Sequence, residues 1–144
     1  MSVDEEDVRR VMKDPFTSIG NDASASAAKG PLFRGKPHPR TYGTFPRVLG
    51  KYSREEKLFP AEEAIRKMTS LPAKTLGLTD RGIIKHGMAA DLVVFDQNNI
   101  EDRGTYGDPH HYPKGIEYVM VNGRIVLDMG EILPDMAGKV LRKT

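Results

Sequence analysis

The sequence predicts an α/β protein in two parts, an α/β part over residues 1–78 and a smaller β part over residues 79–144. Three observations predict this division. Apolar residues in the first part recur with the spacing of amphipathic helices, whereas residues 90–96 form the nearly continuous apolar run of a buried strand. An Asn-Gly pair further on separates two β-prone runs, which is the pattern of a hairpin. The helical spacing of apolar residues ends near Leu78, so the boundary between the two parts is placed there.

The first part opens with a predicted helix at residues 2–13, which is followed by a predicted strand at residues 16–20. Ser2 is the expected N-cap, and Val11 belongs to the expected buried face of the helix. The β-prone run after the helix ends in a polar tip, where the side chain of Asp22 would emerge. A helix, a strand and a polar tip together make one step of an α/β repeat.

Three further helices are predicted in the first part. One covers residues 46–56, and the next opens at Pro60, because proline suits the first turn of a helix. The last begins at Leu71 and ends at Gly77, which has no Cβ and adopts the left-handed conformation of a C-cap at little cost. We expect the apolar stripes of these helices to face a common core.

The second part is predicted to be a small β structure. The apolar run at residues 90–96 predicts a strand that is covered on both faces. Residues 116–121 and 124–128 are predicted to pair as a hairpin, because the Asn122-Gly123 loop between them accepts the positive φ angles of a type I′ turn.

Two residues are candidates for chemistry. Asp22 follows the predicted strand at its carboxyl end, where α/β folds place catalytic groups, although an aspartate at a turn also commonly accepts backbone N–H bonds. Arg40 lies in a stretch, residues 23–42, that has no periodicity and is predicted to be a long functional loop. Its guanidinium is a planar fork that suits a substrate carboxylate. The composition of the stretch also fits an ordinary exposed arginine without a function. From the residues alone, the functional and the structural interpretations of both side chains stay open.

Composition excludes several partners. The 22 Lys and Arg residues and the 20 Asp and Glu residues give a net charge of +2 with the signs interspersed, so no basic face is expected to bind nucleic acid. No apolar run approaches the ~18 residues of a membrane span, so no membrane partner is expected. The chain contains no cysteine, which excludes disulfides and thiolate metal sites and suits a reducing cytoplasm, the expected location.

The four histidines do not predict a metal site within this chain. They are His38, His86, His110 and His111. None shows the His-x-His or His-x-x-x-His spacing that lets two imidazoles meet at one ion. We therefore expect this chain alone to bind no metal, and we expect the adjacent pair to be ordinary surface histidines.

Several runs of residues resemble one enzyme family. They are IGND at residues 19–22, HPRTYGTFPRVLG at 38–50, EAIRKMTSLPA at 63–73, DRG at 80–82, GMAADLVVFD at 87–96 and VNG at 121–123. Together they resemble the C-terminal quarter of N-acyl-D-amino-acid deacylases, or D-aminoacylases, of the amidohydrolase superfamily, and they cover nearly all of the chain. The run at 87–96 is shared by many amidohydrolases, whereas the run that starts at His38 is much more specific.

The resemblance implies a zinc-dependent (β/α)8 barrel, or TIM barrel, with a small β-sandwich-like domain. Residues 1–78 would contain the final βα unit of the barrel, with residues 16–20 as its eighth strand, and residues 79–144 would be part of the small domain, which carries no chemistry. The implied reaction is the hydrolysis of an N-acyl-D-amino acid to a carboxylate and a D-amino acid. Asp22 would take a proton from the attacking water and return it to the departing amine, and Arg40 would bind the α-carboxylate. Asp22 is also the one candidate zinc ligand.

Two departures from the family pattern matter. Asn21 stands where the family usually has serine or threonine, which leaves the role of Asp22 intact. The first seven barrel strands and the metal-binding histidines have no counterpart, since 144 residues are well below the ~250 of a complete barrel. We therefore expect zinc not to bind to this chain alone. We also expect the chain to be a truncated reading frame or one product of a split gene, with the missing barrel segment on another chain.

Two other interpretations remain open. The chain could be a non-catalytic remnant that acts as an interaction module, and barrel-coding sequence just upstream would argue against this. It could also be a fragment of a dihydroorotase-like or hydantoinase-like amidohydrolase, which would share the run at residues 87–96 but should lack the loop that contains Arg40.

Overall fold

The computed structural model describes residues 4–142 as a group of helices followed by an antiparallel sheet. Within these residues, no helix has the length and apolarity needed to cross a bilayer. In chain order the elements are α1 (Glu5–Lys13), α2 (Arg40–Arg47), a π-helix (Val48–Glu55), α3 (Ala61–Met68), α4 (Ser70–Leu76), β1 (Leu92–Phe95), β2 (Ile116–Val121), β3 (Arg124–Asp128) and β4 (Glu131–Ile132).

Helix α1 confirms the predicted first helix but differs at its start and on its buried face. The side chain of Asp4 caps the helix by accepting a hydrogen bond from the N–H of Glu6 (3.0 Å), whereas Ser2 lies outside the described residues. Met12 is buried as part of the core, but Val11 is 56% exposed, so its predicted burial is wrong. The reason is that α1 contacts the rest of the chain along a narrow apolar face and, beside it, through charged side chains.

These charged side chains join α1 to the π-helix. Arg9 donates two hydrogen bonds to the carboxylate of Glu56, at 2.8 and 3.0 Å. The carboxylate of Glu5 accepts a hydrogen bond from the hydroxyl of Tyr52 (2.9 Å) and contacts the ammonium of Lys51. The bonds from Arg9 lower the pKa of Glu56, and the bond from Lys51 lowers the pKa of Glu5. Both side chains therefore hold α1 against the π-helix as ionised carboxylates.

The predicted strand at residues 16–20 is not a strand in this structure. The segment is irregular, and the N–H of Ile19 donates to the carbonyl of Lys67 in α3 (3.0 Å) rather than to a neighbouring strand. The physical reason is that a barrel strand forms through hydrogen bonds to strands on either side. The described residues provide no such neighbour to this segment.

The predicted helix at residues 46–56 is part of a longer helical stretch that starts at Arg40. The stretch is α-helical as far as Arg47 and then widens into the π-helix, where the N–H of Glu56 donates to the carbonyl of Lys51, five residues earlier (2.9 Å). Pro46 has no N–H to donate within α2, which interrupts the α-helical ladder just before the change. A π-helix is rare and often lies near a functional site.

Helices α3 and α4 confirm the two remaining helix predictions. Helix α3 begins directly after Pro60, and α4 ends at Gly77, which has φ of 74° in the left-handed region. The N–H of Gly77 donates to the carbonyl of Lys74 (3.1 Å), as expected of a C-cap.

The core lies among the helices and takes one residue from the second part of the chain. Its members are Met12, Val48, Leu49, Tyr52, Phe59, Ala64 and Ile100. Ile100, which is 2% exposed, lies on the loop after β1 and packs against the helical stretch. Gly50 permits this contact, because a Cβ there would lie 2.5 Å from the carbonyl oxygen of Ile100. The helical part and the loop after β1 therefore share one core.

The sheet has the strand order β1-β2-β3-β4 with every neighbouring pair antiparallel. The predicted hairpin is confirmed, since β2 and β3 flank Asn122 and Gly123, which have φ of 48° and 80°. Strand β4 was not predicted. It follows a second tight turn in which Met129 and Gly130 also have positive φ.

Strand β1 confirms the predicted strand in residues 90–96 but not its predicted burial. Val93 and Val94 are 54% and 49% exposed, so the strand is not covered on both faces. A strand in the middle of a parallel sheet is covered by helices on both sides, whereas β1 is the edge of an antiparallel sheet and contacts the helical core through Phe95 at its end.

Candidate active site

The structure brings Asp22 and Arg40 into direct contact, although 18 positions separate them in the sequence. The Nη2 of Arg40 lies 2.9 Å from the Oδ2 of Asp22, and the Nε of Arg40 donates to the backbone carbonyl of Asp22 at 3.1 Å. One guanidinium thus binds both the side chain and the main chain of the aspartate. The two residues chosen from the sequence therefore form one cluster.

Arg40 is held in place because it is the first residue of α2. Its carbonyl accepts hydrogen bonds from the hydroxyl of Thr44 (2.9 Å) and from the side-chain amide of Asn21 (3.3 Å). The same amide lies 3.5 Å from the carbonyl of Thr41. Asn21 therefore joins the segment that carries Asp22 to the first turn of α2.

Lys67 holds the segment that leads to Asp22 from the other side. This lysine is 0% exposed, and its ammonium donates to the carbonyls of Asp14 and Thr17, the latter at 3.1 Å. It also lies 3.6 Å from the carboxylate of Glu63. A buried ammonium is tolerated only with such partners, so these contacts fix residues 14–17 against α3.

The contact between Asp22 and Arg40 is open to solvent and easily exchanged. The side chain of Asp22 is 94% exposed and that of Arg40 is 46% exposed. An exposed ion pair of this kind stabilises a fold by about 0–1 kcal/mol. Arg40 can therefore leave Asp22 and bind another carboxylate at little cost, while its helix keeps it nearby.

The described residues do not form a metal centre. Between residues 4 and 142, no group of three or more His, Asp or Glu side chains is arranged to hold an ion. Asp22 is the candidate zinc ligand taken from the sequence, and one carboxylate is fewer than the three or four ligands of a zinc site. The remaining ligands would have to come from other residues.

Sequence reasoning missed the role of several aromatic and histidine side chains at this site. His38 accepts a hydrogen bond from the backbone N–H of Arg40 at 3.0 Å and contacts the hydroxyl of Tyr106. His110, expected to be an ordinary surface histidine, lies 3.2 Å from the hydroxyl of Tyr42 and contacts the ring of Phe33. The spacing of His38 two residues before Arg40 was the available signal, because a side chain can accept the N–H of the residue two positions later.

Comparison with known proteins identifies the family. The model of the amidohydrolase family matches residues 9–127, which is most of the chain. The chain belongs to the amidohydrolase family. Its architecture, helices followed by a small antiparallel sheet, is that of part of a TIM-barrel amidohydrolase together with strands of its sheet domain.

Several similar proteins of the amidohydrolase family are deacylases of N-acyl-D-amino acids by name. An N-acyl-D-aspartate deacylase from Alcaligenes xylosoxydans xylosoxydans is 42% identical over 139 residues, which are 96% of this chain and 26% of the relative. The crystal structure of a D-aminoacylase superposes with a TM-score of 0.87 at 42% identity, covering 98% of this chain and 28% of that one. An N-acyl-D-glutamate deacylase from Bordetella bronchiseptica, solved with zinc and a phosphonate inhibitor, gives 0.77 at 40% identity, covering 86% of this chain and 25% of that one. The chain therefore spans about a quarter of the length of these amidohydrolases.

Proposed function

We propose that these residues supply the proton-transfer carboxylate and the substrate-binding arginine of an N-acyl-D-amino-acid deacylase. The observation that carries the proposal is the direct contact between Asp22 and Arg40 in a solvent-exposed cluster. The identity of about 42% to deacylases of this kind over nearly the whole chain supports it. The alternative of a non-catalytic interaction module gives no reason for these two side chains to meet at a surface.

Arg40 binds the α-carboxylate of the substrate in this proposal. A guanidinium and a carboxylate make two parallel charge-assisted hydrogen bonds, which fix orientation as well as position. The amide nitrogen of an N-acyl-amino acid is two bonds from its carboxylate carbon. A substrate held at Arg40 therefore presents its scissile amide close to Asp22.

Asp22 transfers the proton. It accepts a proton from the attacking water and delivers it to the amide nitrogen, so that water adds to the carbonyl carbon, the C–N bond breaks and the amine leaves uncharged. The products are a carboxylate and a D-amino acid. Zinc, when bound, supplies the Lewis acid that makes water a nucleophile at neutral pH.

In this proposal the remaining zinc ligands come from outside these 144 residues. They belong either to preceding sequence of the same polypeptide or to a second chain. Asp22 is the one side chain of the site that we propose as a ligand. We place the protein in the cytoplasm, because a chain without cysteine suits a reducing compartment.

A chimeric enzyme tests the proposal. The segment of the Alcaligenes N-acyl-D-aspartate deacylase that matches this chain is replaced by the 144 residues, and hydrolysis of N-acetyl-D-aspartate and its L enantiomer is measured with zinc. We expect hydrolysis of the D enantiomer. Asp22→Asn should lower kcat by about 10²- to 10⁴-fold with little change in KM, because it removes a general acid–base. Arg40→Ala should raise KM by at least about tenfold.

Matched controls separate these effects from a loss of folding. Asp128→Asn changes an exposed carboxylate at the end of β3, and Arg34→Ala changes an exposed arginine of the loop that precedes Arg40. Both should behave as the unmodified chimera. A folded, zinc-loaded chimera that hydrolyses neither enantiomer would overturn the proposal. So would full activity of the Asp22→Asn variant.

A further inference from the structure

The backbone N–H of Arg40 fixes the tautomer of His38. This N–H can only donate, and it lies 3.0 Å from the Nδ1 of His38, so Nδ1 accepts and carries no proton. The proton of the neutral ring is therefore on Nε2, which donates to the hydroxyl of Tyr106 at 3.0 Å. The two rings also meet edge to face, with centroids 5.0 Å apart and an angle of 82°. His38 thus links Arg40 to a side chain 68 positions further along the chain.

The segment that contains Tyr106 contacts the long loop before Arg40 at further points. The Nε2 of His110 donates to the carbonyl of Gly35 at 2.8 Å, and the ring of His110 lies 4.1 Å from that of Phe33. The hydroxyl of Tyr112 accepts the N–H of Ala28 at 3.0 Å. The loop has no regular structure of its own between residues 23 and 38. Apart from a turn closed by the N–H of Phe33 and the N–H of Ala27, its contacts therefore come from side chains of residues 105–112.

The prolines on both sides of His38 strengthen this arrangement. Pro37 and Pro39 restrict φ on either side of the imidazole, so the ring has few alternative positions. The N–H of Arg40 has no carbonyl partner in the first turn of α2, and the Nδ1 of His38 satisfies it. Loss of this acceptor frees the start of α2 and with it the guanidinium.

We propose that His38 is a positioning residue for the Arg40 carboxylate clamp, and that Tyr106 holds the ring of His38 in place. The proposal rests on the function proposed above for Arg40. It gives residues 105–112, on the β side of the chain, a part in substrate recognition, whereas the family resemblance implied that this side carries no chemistry. His38 acts through Arg40, so its loss weakens binding of the substrate carboxylate and leaves the proton transfer by Asp22 unchanged.

Steady-state kinetics of the chimera test this role with four variants. His38→Phe keeps a flat ring but has no acceptor, and it should raise KM for N-acetyl-D-aspartate by about tenfold with kcat within about twofold. His38→Asn restores an acceptor for the N–H two positions later and should bring KM back to within about threefold. Tyr106→Phe should raise KM by about threefold. His86→Phe changes an exposed histidine elsewhere on the surface and should have no effect.

Two results of this experiment would overturn the inference while leaving the proposed function intact. One is an unchanged KM in His38→Phe. The other is a loss of kcat without a change in KM, which would place His38 in the chemical step. An unmodified chimera without activity would instead contradict the proposed function.

Nuclear magnetic resonance of the 144-residue chain tests the same contacts without catalysis. Long-range ¹H–¹⁵N spectra should show His38 as the neutral Nε2–H tautomer, because the N–H of Arg40 occupies Nδ1. Exchange of the Arg40 Nε–H with solvent should be at least about fivefold faster in His38→Phe than in His38→Asn. A dominant Nδ1–H tautomer in the unmodified chain, or equal exchange in the two variants, would overturn the inference whatever the chimera does.

Discussion

The helical part and the sheet of this chain are stabilised in different ways. Helices α1 to α4 and the π-helix surround a core of buried apolar side chains. None of the residues in strands β1 to β4 is buried. The sheet instead consists of strands that are close in sequence, joined between β2 and β3 and between β3 and β4 by two-residue turns.

The difference shows which interactions each region needs. Packing of side chains determines the helical part, so its stability depends on a few residues such as Ile100. Backbone hydrogen bonds and turn geometry determine the sheet, so it forms without a core of its own. Four changes test this comparison, and they are given from the largest expected effect to the smallest.

Replacement of Ile100 by alanine should have the largest effect. Ile100 is the residue from the second part that completes the helical core, so Ile100→Ala leaves a cavity there. We expect the free energy of unfolding to fall by about 3 kcal/mol. Val93→Ala, on the exposed face of β1, should cost less than about 0.5 kcal/mol. Urea denaturation measures both, and equal costs would show that the two regions do not differ as described.

Replacement of Lys67 by methionine should cost about 2 kcal/mol. The change keeps an unbranched chain in a fully buried place but removes the donor to the carbonyls of Asp14 and Thr17. Amide exchange at Ile19 should become faster, because the segment before Asp22 loses its anchor. Lys74→Met, on the exposed side of α4, is the control and should change neither quantity. Unchanged amide exchange at Ile19 would show that Lys67 does not hold the segment before Asp22 in place.

Replacement of Gly123 by alanine should cost about 1 kcal/mol through the backbone alone. Gly123 has φ of 80°, and no atom lies within 4 Å of the position of a new Cβ, so the cost comes from the left-handed conformation. Gly20→Ala is the matched control, since it also has open space but no positive φ, and it should be neutral or slightly stabilising. Thermal denaturation followed by the sheet signal decides between them. The comparison is contradicted if both changes cost the same.

Protonation of Glu56 should have the smallest effect. Its pKa lies below its ordinary value of 4.5 because of the hydrogen bonds from Arg9. The charged form therefore stabilises the fold above the ordinary pKa, and this contribution is lost as the pH falls through the lowered pKa. Protection of the Met12 amide in α1, measured against the intrinsic exchange rate at each pH, should fall below about pH 4.5 in the unmodified chain. Glu56→Gln should make this fall smaller, whereas Glu131→Gln on the sheet should leave it as it is.

Elements with local causes were predictable from the sequence. The cap at Gly77 and the hairpin turn at Asn122 and Gly123 are where the sequence placed them, because a single residue type and its neighbours determine each. The strand at residues 16–20 was predicted wrongly for the opposite reason, since a strand requires partners that no local pattern reveals. The exposure of Val93 was missed because apolar composition does not say what covers a face.

The candidate site shows the same division between sequence and structure. The residue types of Asp22 and Arg40, and the motif around Arg40, are properties of the sequence, and they were enough to propose both residues as candidates and to indicate the family. Their contact across 18 positions, and the support of the loop from Tyr106 and His110, are properties of the tertiary structure. A loop without periodicity has many conformations of similar energy, and only contacts with distant side chains select one of them.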